Sequence, residues 1–168
     1  MCMRYIVFII LYIFSNLLTS KDQIGEEEYE YLIDINGTIE IIKEHHYSRD
    51  HFFRNYIIDG NVEDNYGNYG SSETVVFAVY KKKKIIKLEW SNKVIFQNGK
   101  KVFFSGYRKD GVESAGVGRS ILFEADETLL ALIGMQCTYA IKFFKNKTFT
   151  KSKCKIDENK KKVIENLS

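Results

Sequence analysis

The chain has 168 residues, with 25 Lys or Arg against 22 Asp or Glu, so its formal net charge at pH 7 is only +3. This near-neutral balance does not favour a nucleic-acid-binding protein, because those are commonly strongly basic. The length is typical of one domain that can bury a hydrophobic core without depending on crosslinks.

The first 20 residues predict a secretory signal peptide. Arg4 is the only charged residue before Lys21, the stretch 5–18 is mostly apolar, and the small pair Thr19-Ser20 follows it. This order is typical of a cleaved signal, and the apolar stretch is shorter than the roughly 20 residues that a membrane-spanning helix needs. We therefore expect a secreted protein with no membrane span after signal removal. A retained membrane anchor is the open alternative.

The next segments predict a first β-hairpin. Residues 28–35 and 38–44 alternate between apolar and polar side chains on either side of Asn36-Gly37, and Asn-Gly is a preferred sequence for a tight turn. Asn36-Gly37-Thr38 is also an N-glycosylation sequon, so a glycan is expected on Asn36. The segment that follows, 47–58, fits either a strand or a short helix.

All three histidines lie within seven residues, at His45, His46 and His51, with Asp50 among them. If His46, Asp50 and His51 converged with a further ligand, they would form a metal site. The alternative function is accordingly a small metal- or histidine-dependent hydrolase built on this cluster. Neither a strand nor a helix brings these side chains together locally. A solvent-exposed cluster, with no metal and no catalytic residue, is therefore the main interpretation.

The polar, glycine-rich segment 59–73 predicts a loop. It contains Tyr66, Asn68 and Tyr69, and flat aromatic faces beside amide groups are typical of surfaces that bind glycans or proteins. We expect these three residues to contribute to a binding surface.

The middle of the chain predicts two further hairpins. Residues 73–80 and 85–90 have the composition or alternation of strands, and the four consecutive lysines between them predict a solvated connection: Lys81, Lys82, Lys83 and Lys84. With the lysines of 142–155 they would form a basic patch for sulfated glycans or an anionic lipid surface. Residues 94–97 and 100–107 flank Asn98-Gly99, which is the strongest turn signal in the chain.

The glycine-rich stretch 111–120 lacks the Lys-Ser or Lys-Thr of a phosphate-binding loop, so it predicts a flexible connection and no nucleotide site. Residues 120–124 and 128–136 are strand candidates. The second of these is apolar enough for a short helix, but Gly134 favours a strand.

Cys137 and Cys154 predict a disulfide across a last hairpin. The stretches 137–144 and 147–154 are rich in β-branched and aromatic residues around Lys145-Asn146. If that pair is a two-residue turn, the two cysteines oppose each other directly, at a distance that a disulfide can bridge. Asn146 begins a second glycosylation sequon at the tip of this hairpin.

Together these patterns predict a signal peptide (1–20), a secreted β domain (21–155) and a charged tail (156–168) that frays or forms a loose helix. The fold class is all-β: an antiparallel sandwich or barrel of about eight strands. The expected function is non-enzymatic binding of an extracellular protein, a glycan or an anionic surface, with no cofactor. A lipid-carrying β-barrel is a second alternative, which would require a large internal cavity.

Overall fold

The computed structural model describes residues 28–108, 111–112 and 114–167. The predicted signal peptide lies outside the described residues, so its cleavage stays a prediction. No helix in the described part of the chain is long and apolar enough to cross a membrane.

In the described ranges, nine β-strands form one antiparallel sheet that closes on itself. They are β1 (Tyr29–Ser48), β2 (His51–Asp64), β3 (Tyr69–Lys81), β4 (Lys84–Phe96), β5 (Lys101–Arg108), β6 (Gly111–Val112), β7 (Ala115–Ala125), β8 (Gln136–Phe144) and β9 (Lys147–Ile156). Eight of them pair in chain order, and β9 returns to pair with β1. The two-residue β6 pairs with β4 alone. The all-β prediction is confirmed, and the architecture is a closed eight-stranded barrel, not a sandwich.

One end of the barrel is filled by apolar side chains from two short helices and from the residues that directly follow them. A 3-10 helix (Glu127–Leu132) and α1 (Glu158–Glu165) cover this plugged end. The side chains that fill it are at most 2 % exposed: Leu129, Leu132, Met135, Ile164 and Leu167. The opposite, open end carries the β1–β2, β3–β4 and β8–β9 turns, because antiparallel strands that follow one another turn at alternate ends.

Three predicted hairpins are present. The β8–β9 turn is Lys145-Asn146, and the register places Cys137 opposite Cys154, which form the expected disulfide. The β3–β4 connection is Lys82-Lys83, both with positive φ. Gly99 supplies the positive φ between β4 and β5.

The predicted turn at Asn36-Gly37 is wrong, because β1 continues through it to Ser48. Gly37 lies opposite Gly60 of β2. A Cβ atom on Gly37 would lie 2.5 Å from Cγ2 of Ile58. Glycine therefore allows β1 and β2 to pack closely at this point of the barrel wall. It is not needed here for a positive φ. The β1–β2 turn lies instead between Ser48 and His51, so the segment 47–58 is the end of β1, this turn and the start of β2, and contains no helix.

The predicted loop at 59–73 is also wrong, because most of it continues β2 and begins β3. Only residues 65–68 form the turn between these strands. Val62 is 2 % exposed and Ser72 is 4 % exposed, whereas Asn61 and Ser71 point outward. Buried and exposed positions thus alternate as in a strand. The sequence does not show this alternation, because a serine and glycines occupy inward positions where apolar residues are expected.

Two further outcomes concern the plugged end. The strand predicted at 128–136 is wrong: the 3-10 helix ends at Leu132, Gly134 has a φ of +86°, and only Gln136 belongs to a strand. Of the two outcomes expected for the tail, the helix is the one present: α1 begins after Asp157, whose side chain accepts a hydrogen bond from the Lys160 amide. Burial of its Ile164 at the plugged end holds the helix in place.

Candidate functional site: the barrel interior and its open end

The barrel interior contains a cavity of about 80 Å³. It borders both hydrophobic clusters of the core, one at the plugged end and one at the open end. Apolar side chains such as Ile58 and Val94 form part of its lining. The rest of the lining is polar or amphipathic and includes Thr74, Trp90, Asn92, Arg108, Ser120, Tyr139, Thr148, Thr150 and Ser152.

Most of this polar lining is hydrogen-bonded within the barrel. Asn92 donates to the hydroxyl oxygens of Ser72 and Thr74, at 2.8 and 2.6 Å. Nε1 of Trp90 donates to the Tyr139 hydroxyl at 3.0 Å, and the two rings meet edge to face. Burial raises the pKa of Tyr139, although the bond from Trp90 and the charge of Arg108 oppose the shift.

Among the described residues, Arg108 is the only charged one that lines the cavity, and it is 6 % exposed. Its Nη1 and Nη2 atoms donate to the carbonyl oxygens of Ala115 and Val112, at 3.2 and 3.4 Å. Within the described part of the chain, its buried Nε has no hydrogen-bond partner, and no carboxylate forms an ion pair with this guanidinium group.

The wall beside Arg108 is built from glycine. Gly116 lies in β7, so the predicted flexible connection at 111–120 is a strand from Ala115 onward. A Cβ atom on Gly116 would lie 1.1 Å from Nη1 of Arg108, and one on Gly118 would lie 2.5 Å from the Tyr139 hydroxyl. These glycines therefore make room for large polar side chains inside the barrel.

A second, wider pocket of about 480 Å³ lies at the open end. We call it the mouth pocket; its lining is Ile39, Ile41, Arg54, Tyr56, Tyr80, Ser114, Phe143, Lys145 and Asn146. Tyr56 and Phe143 also line the interior cavity, so they form the boundary between the two spaces. Burial, followed by interactions with Tyr80, raises the pKa of Tyr56, so its hydroxyl stays protonated at neutral pH.

The histidines lie at the tip of the β1–β2 hairpin and do not line either space. His46 Nε2 is 2.7 Å from Glu44 Oε1, and Arg54 Nε donates to Glu44 Oε2 at 2.6 Å. This bond from Arg54 lowers the pKa of the Glu44 carboxyl. The ring of His51 packs on Tyr47 with centroids 4.9 Å apart.

The alternative metal set of His46, Asp50 and His51 is not gathered into a site. In the described ranges, no group of three or more His, Cys, Asp or Glu residues is placed to hold a metal ion.

The predicted aromatic surface is divided by the fold. Tyr69 is 61 % exposed, and Tyr66 packs against Tyr31 with ring centroids 6.1 Å apart. Asn68 is 2 % exposed and donates to Oδ2 of Asp64 and to the carbonyl of Ile164. Its side chain ties the β2–β3 turn to α1 and is not presented to a partner. Binding by the two tyrosines stays a prediction.

The predicted basic patch is neutralised along β9. Acidic side chains at the start of the described chain pair with three of its lysines: Lys151 with Asp34, Lys153 with Glu30 and Lys155 with Glu28. Lys81, Lys82, Lys83 and Lys84 are exposed at the open end. Asn36 and Asn146 are also exposed, in β1 and in the β8–β9 turn. Glycosylation of either asparagine stays a prediction.

Sequence reasoning missed Arg108, Trp90 and Tyr139, which are the main polar groups of the interior. A usable signal was present in β5, where 102, 104, 106 and 108 share the inward face by the period of two. The glycines of 111–120 predicted a loop, and a residue next to a loop is ordinarily expected to be exposed. No protein-family model, curated protein or solved structure matches this chain, so its function has to be argued from the site itself.

Proposed function

We propose that the protein is a secreted, non-enzymatic binding protein that holds a small molecule in the open end of its barrel. The observation that carries this proposal is the adjacency of the mouth pocket and the interior cavity across Tyr56 and Phe143. An eight-stranded barrel has the width to enclose one small ligand. The plugged end leaves the mouth pocket as the route by which a ligand reaches the cavity.

The sizes of the two spaces limit the kind of ligand. Pockets that enclose drug-sized molecules measure roughly 300–1,000 Å³, and the interior cavity is about 80 Å³. It has room for a small head group and not for a whole long-chain lipid. The mouth pocket, at about 480 Å³ and lined by Ile39, Ile41 and Phe143, suits the apolar body of the ligand. We therefore favour a short amphipathic molecule over an enclosed lipid.

Secretion is part of the proposal and is supported by the Cys137–Cys154 disulfide. Disulfides persist in oxidising compartments and are rare in the cytosol. Asn146 is exposed in a two-residue turn, where a glycan would lie at the rim of the mouth pocket. Exposed Tyr69 leaves room for a protein or glycan partner on the outside, but the burial of Asn68 makes that surface a weaker candidate than the barrel interior.

Trp90 provides the assay, because it is the single tryptophan of the chain and lines the cavity. Titration with octanol, a neutral amphipathic probe, should change its fluorescence saturably with one site per chain. Thr150→Phe fills the cavity from the inner face of β9 and should weaken binding at least tenfold. Thr138→Phe, the same change on the outer face of β8, is the matched control and should bind as the wild type does.

No saturable response in the wild type would reject the proposal. Equal binding by both variants would also reject it, because the probe would then bind elsewhere. Thermal unfolding of both variants distinguishes loss of the site from loss of the fold.

A further inference from the structure

Resting on the function proposed above, we infer that the natural ligand carries a small carboxylate group and that Arg108 binds it inside the barrel. This assigns a ligand class to the cavity and a role to a residue that is otherwise difficult to explain. The argument depends on the charge of Arg108, its incomplete hydrogen bonding and the neutral donors around it.

The charge of Arg108 is not balanced within the described chain. A guanidinium group remains protonated in proteins, and a charge removed from water without a partner is strongly unfavourable. The two acceptors of Arg108 are uncharged backbone carbonyls at 3.2 and 3.4 Å. Those distances are at or beyond the long end of ordinary N–H···O bonds. An anion in the cavity would supply the missing charge and an acceptor for Nε.

The rest of the cavity also suits a carboxylate. No aspartate or glutamate is among the lining residues that the structure describes. Hydroxyl groups do line it, on Tyr56, Ser120, Tyr139 and Thr148, and the Oγ1 of Thr148 is buried without a partner. Hydroxyls can donate to a carboxylate, which accepts several bonds at once. Arginine beside neutral donors is an arrangement that recognises this group through charge-assisted bonds.

The barrel wall is shaped around this arginine. Gly116 leaves the space that the guanidinium group fills, since a Cβ atom there would overlap Nη1. The described turns of the open end add Lys82, Lys83 and Lys145, all exposed. Positive charge at an entrance raises the local concentration of anions. Arg54 also lines the mouth pocket, but its Nε already bonds to Glu44.

The competing explanation is that Arg108 only holds the connection after β5 in place, through the carbonyls of Val112 and Ala115. A structural role of that kind predicts loss of stability on substitution and no effect on which head group binds. The two explanations therefore differ in a measurable preference.

The test compares octanoate with octanol, which share a chain and differ in the charge of the head group at pH 7. Trp90 fluorescence reports both titrations in the wild type, Arg108→Met and Lys142→Met. Lys142→Met is the control, because it removes a positive charge from the exposed face of β8, outside both spaces. We expect octanoate to bind the wild type about 10- to 100-fold more tightly than octanol, the range that a charge-assisted hydrogen bond confers. Arg108→Met should abolish this preference and keep the affinity for octanol within about threefold of the wild-type value, whereas Lys142→Met should retain the preference.

Equal affinities for octanoate and octanol in the wild type would overturn the assignment of a carboxylate ligand while leaving the proposed function intact. A preference that survives Arg108→Met, or that is lost instead in Lys142→Met, would overturn the role of Arg108. Failure of both probes to bind the wild type would reject the proposed function itself. If Arg108→Met does not fold, Arg108→Lys takes its place. This variant keeps the positive charge but loses the planar guanidinium group, so it should lower the affinity for octanoate and leave the affinity for octanol unchanged.

Discussion

Removing the Cys137–Cys154 crosslink should lower the free energy of unfolding by about 3 kcal/mol. The two cysteines are 17 residues apart in sequence. The chain-entropy relation for a loop of that length gives a loss of about 11 cal/mol/K in the unfolded state, which is about 3 kcal/mol at 25 °C. Both cysteines are buried, at 4 % and 0 % exposure. Reduction of the wild type isolates the crosslink better than alanine substitution, which also removes packing.

The assay is urea unfolding followed by Trp90 fluorescence, with and without reductant, on the chain from Lys21 onward, which lacks Cys2 of the predicted signal peptide. With urea m-values of about 1–3 kcal/mol/M, the midpoint should fall by roughly 1–3 M on reduction. A difference below about 1 kcal/mol would refute the entropic reasoning. It would indicate that the reduced, unfolded chain retains the β8–β9 hairpin, whose two-residue turn makes it one of the most local pairings of the barrel.

Three further predictions concern stability. Ile164→Ala should cost about 2–5 kcal/mol in thermal unfolding, since its side chain is fully buried at the plugged end; a loss below about 1 kcal/mol would contradict that packing. Gly116→Ala should cost roughly 1–3 kcal/mol, because the new methyl group meets Arg108. Arg108→Ala in the same chain should recover at least half of that loss, and additive losses would contradict the contact. The hydrogen bond from Arg54 lowers the pKa of Glu44 in the folded protein. The stability that this bond contributes is complete above the unfolded-state pKa of about 4.3, and it disappears as the pH falls through the lower folded-state pKa. Glu44→Gln should therefore show a shallower loss of stability in acid, and identical acid profiles by urea unfolding would count against this.

The sequence predicted local features more reliably than long-range ones. The spacing of Cys137 and Cys154 about a two-residue turn was sufficient to set their register, because a tight hairpin leaves no alternative. Asn36-Gly37 does not form a turn, because a glycine is also used where two strands pack closely. Gly37 lies in β1, which pairs on both sides, and it lies opposite Gly60 of β2. The sequence around Gly37 does not show that Gly60 is its neighbour.

The interior site was not predicted for a related reason. Arg108 is an inward residue by the alternation of β5, but its burial depends on space that Gly116 of another strand provides. A charged residue in a strand is ordinarily assigned to solvent, and no local pattern overrides that assignment. The alternative metal site rested only on the closeness of the three histidines in sequence, and the fold places them at the tip of the β1–β2 hairpin.

The pairing of β1 with β9 has a consequence for how the protein folds. The bond between Lys155 and Glu28 joins residues 127 positions apart, so the barrel closes only after nearly the whole chain has been made. Contacts this distant in sequence slow folding, and an unclosed sheet exposes two strand edges to other molecules. The lysines of β9 keep its edge charged and soluble during that interval, and the same side chains become partners of β1 once the barrel closes. Surface ion pairs contribute little to the stability of the native state. The lysines of β9 would thus act mainly before the native state forms, as protection against aggregation.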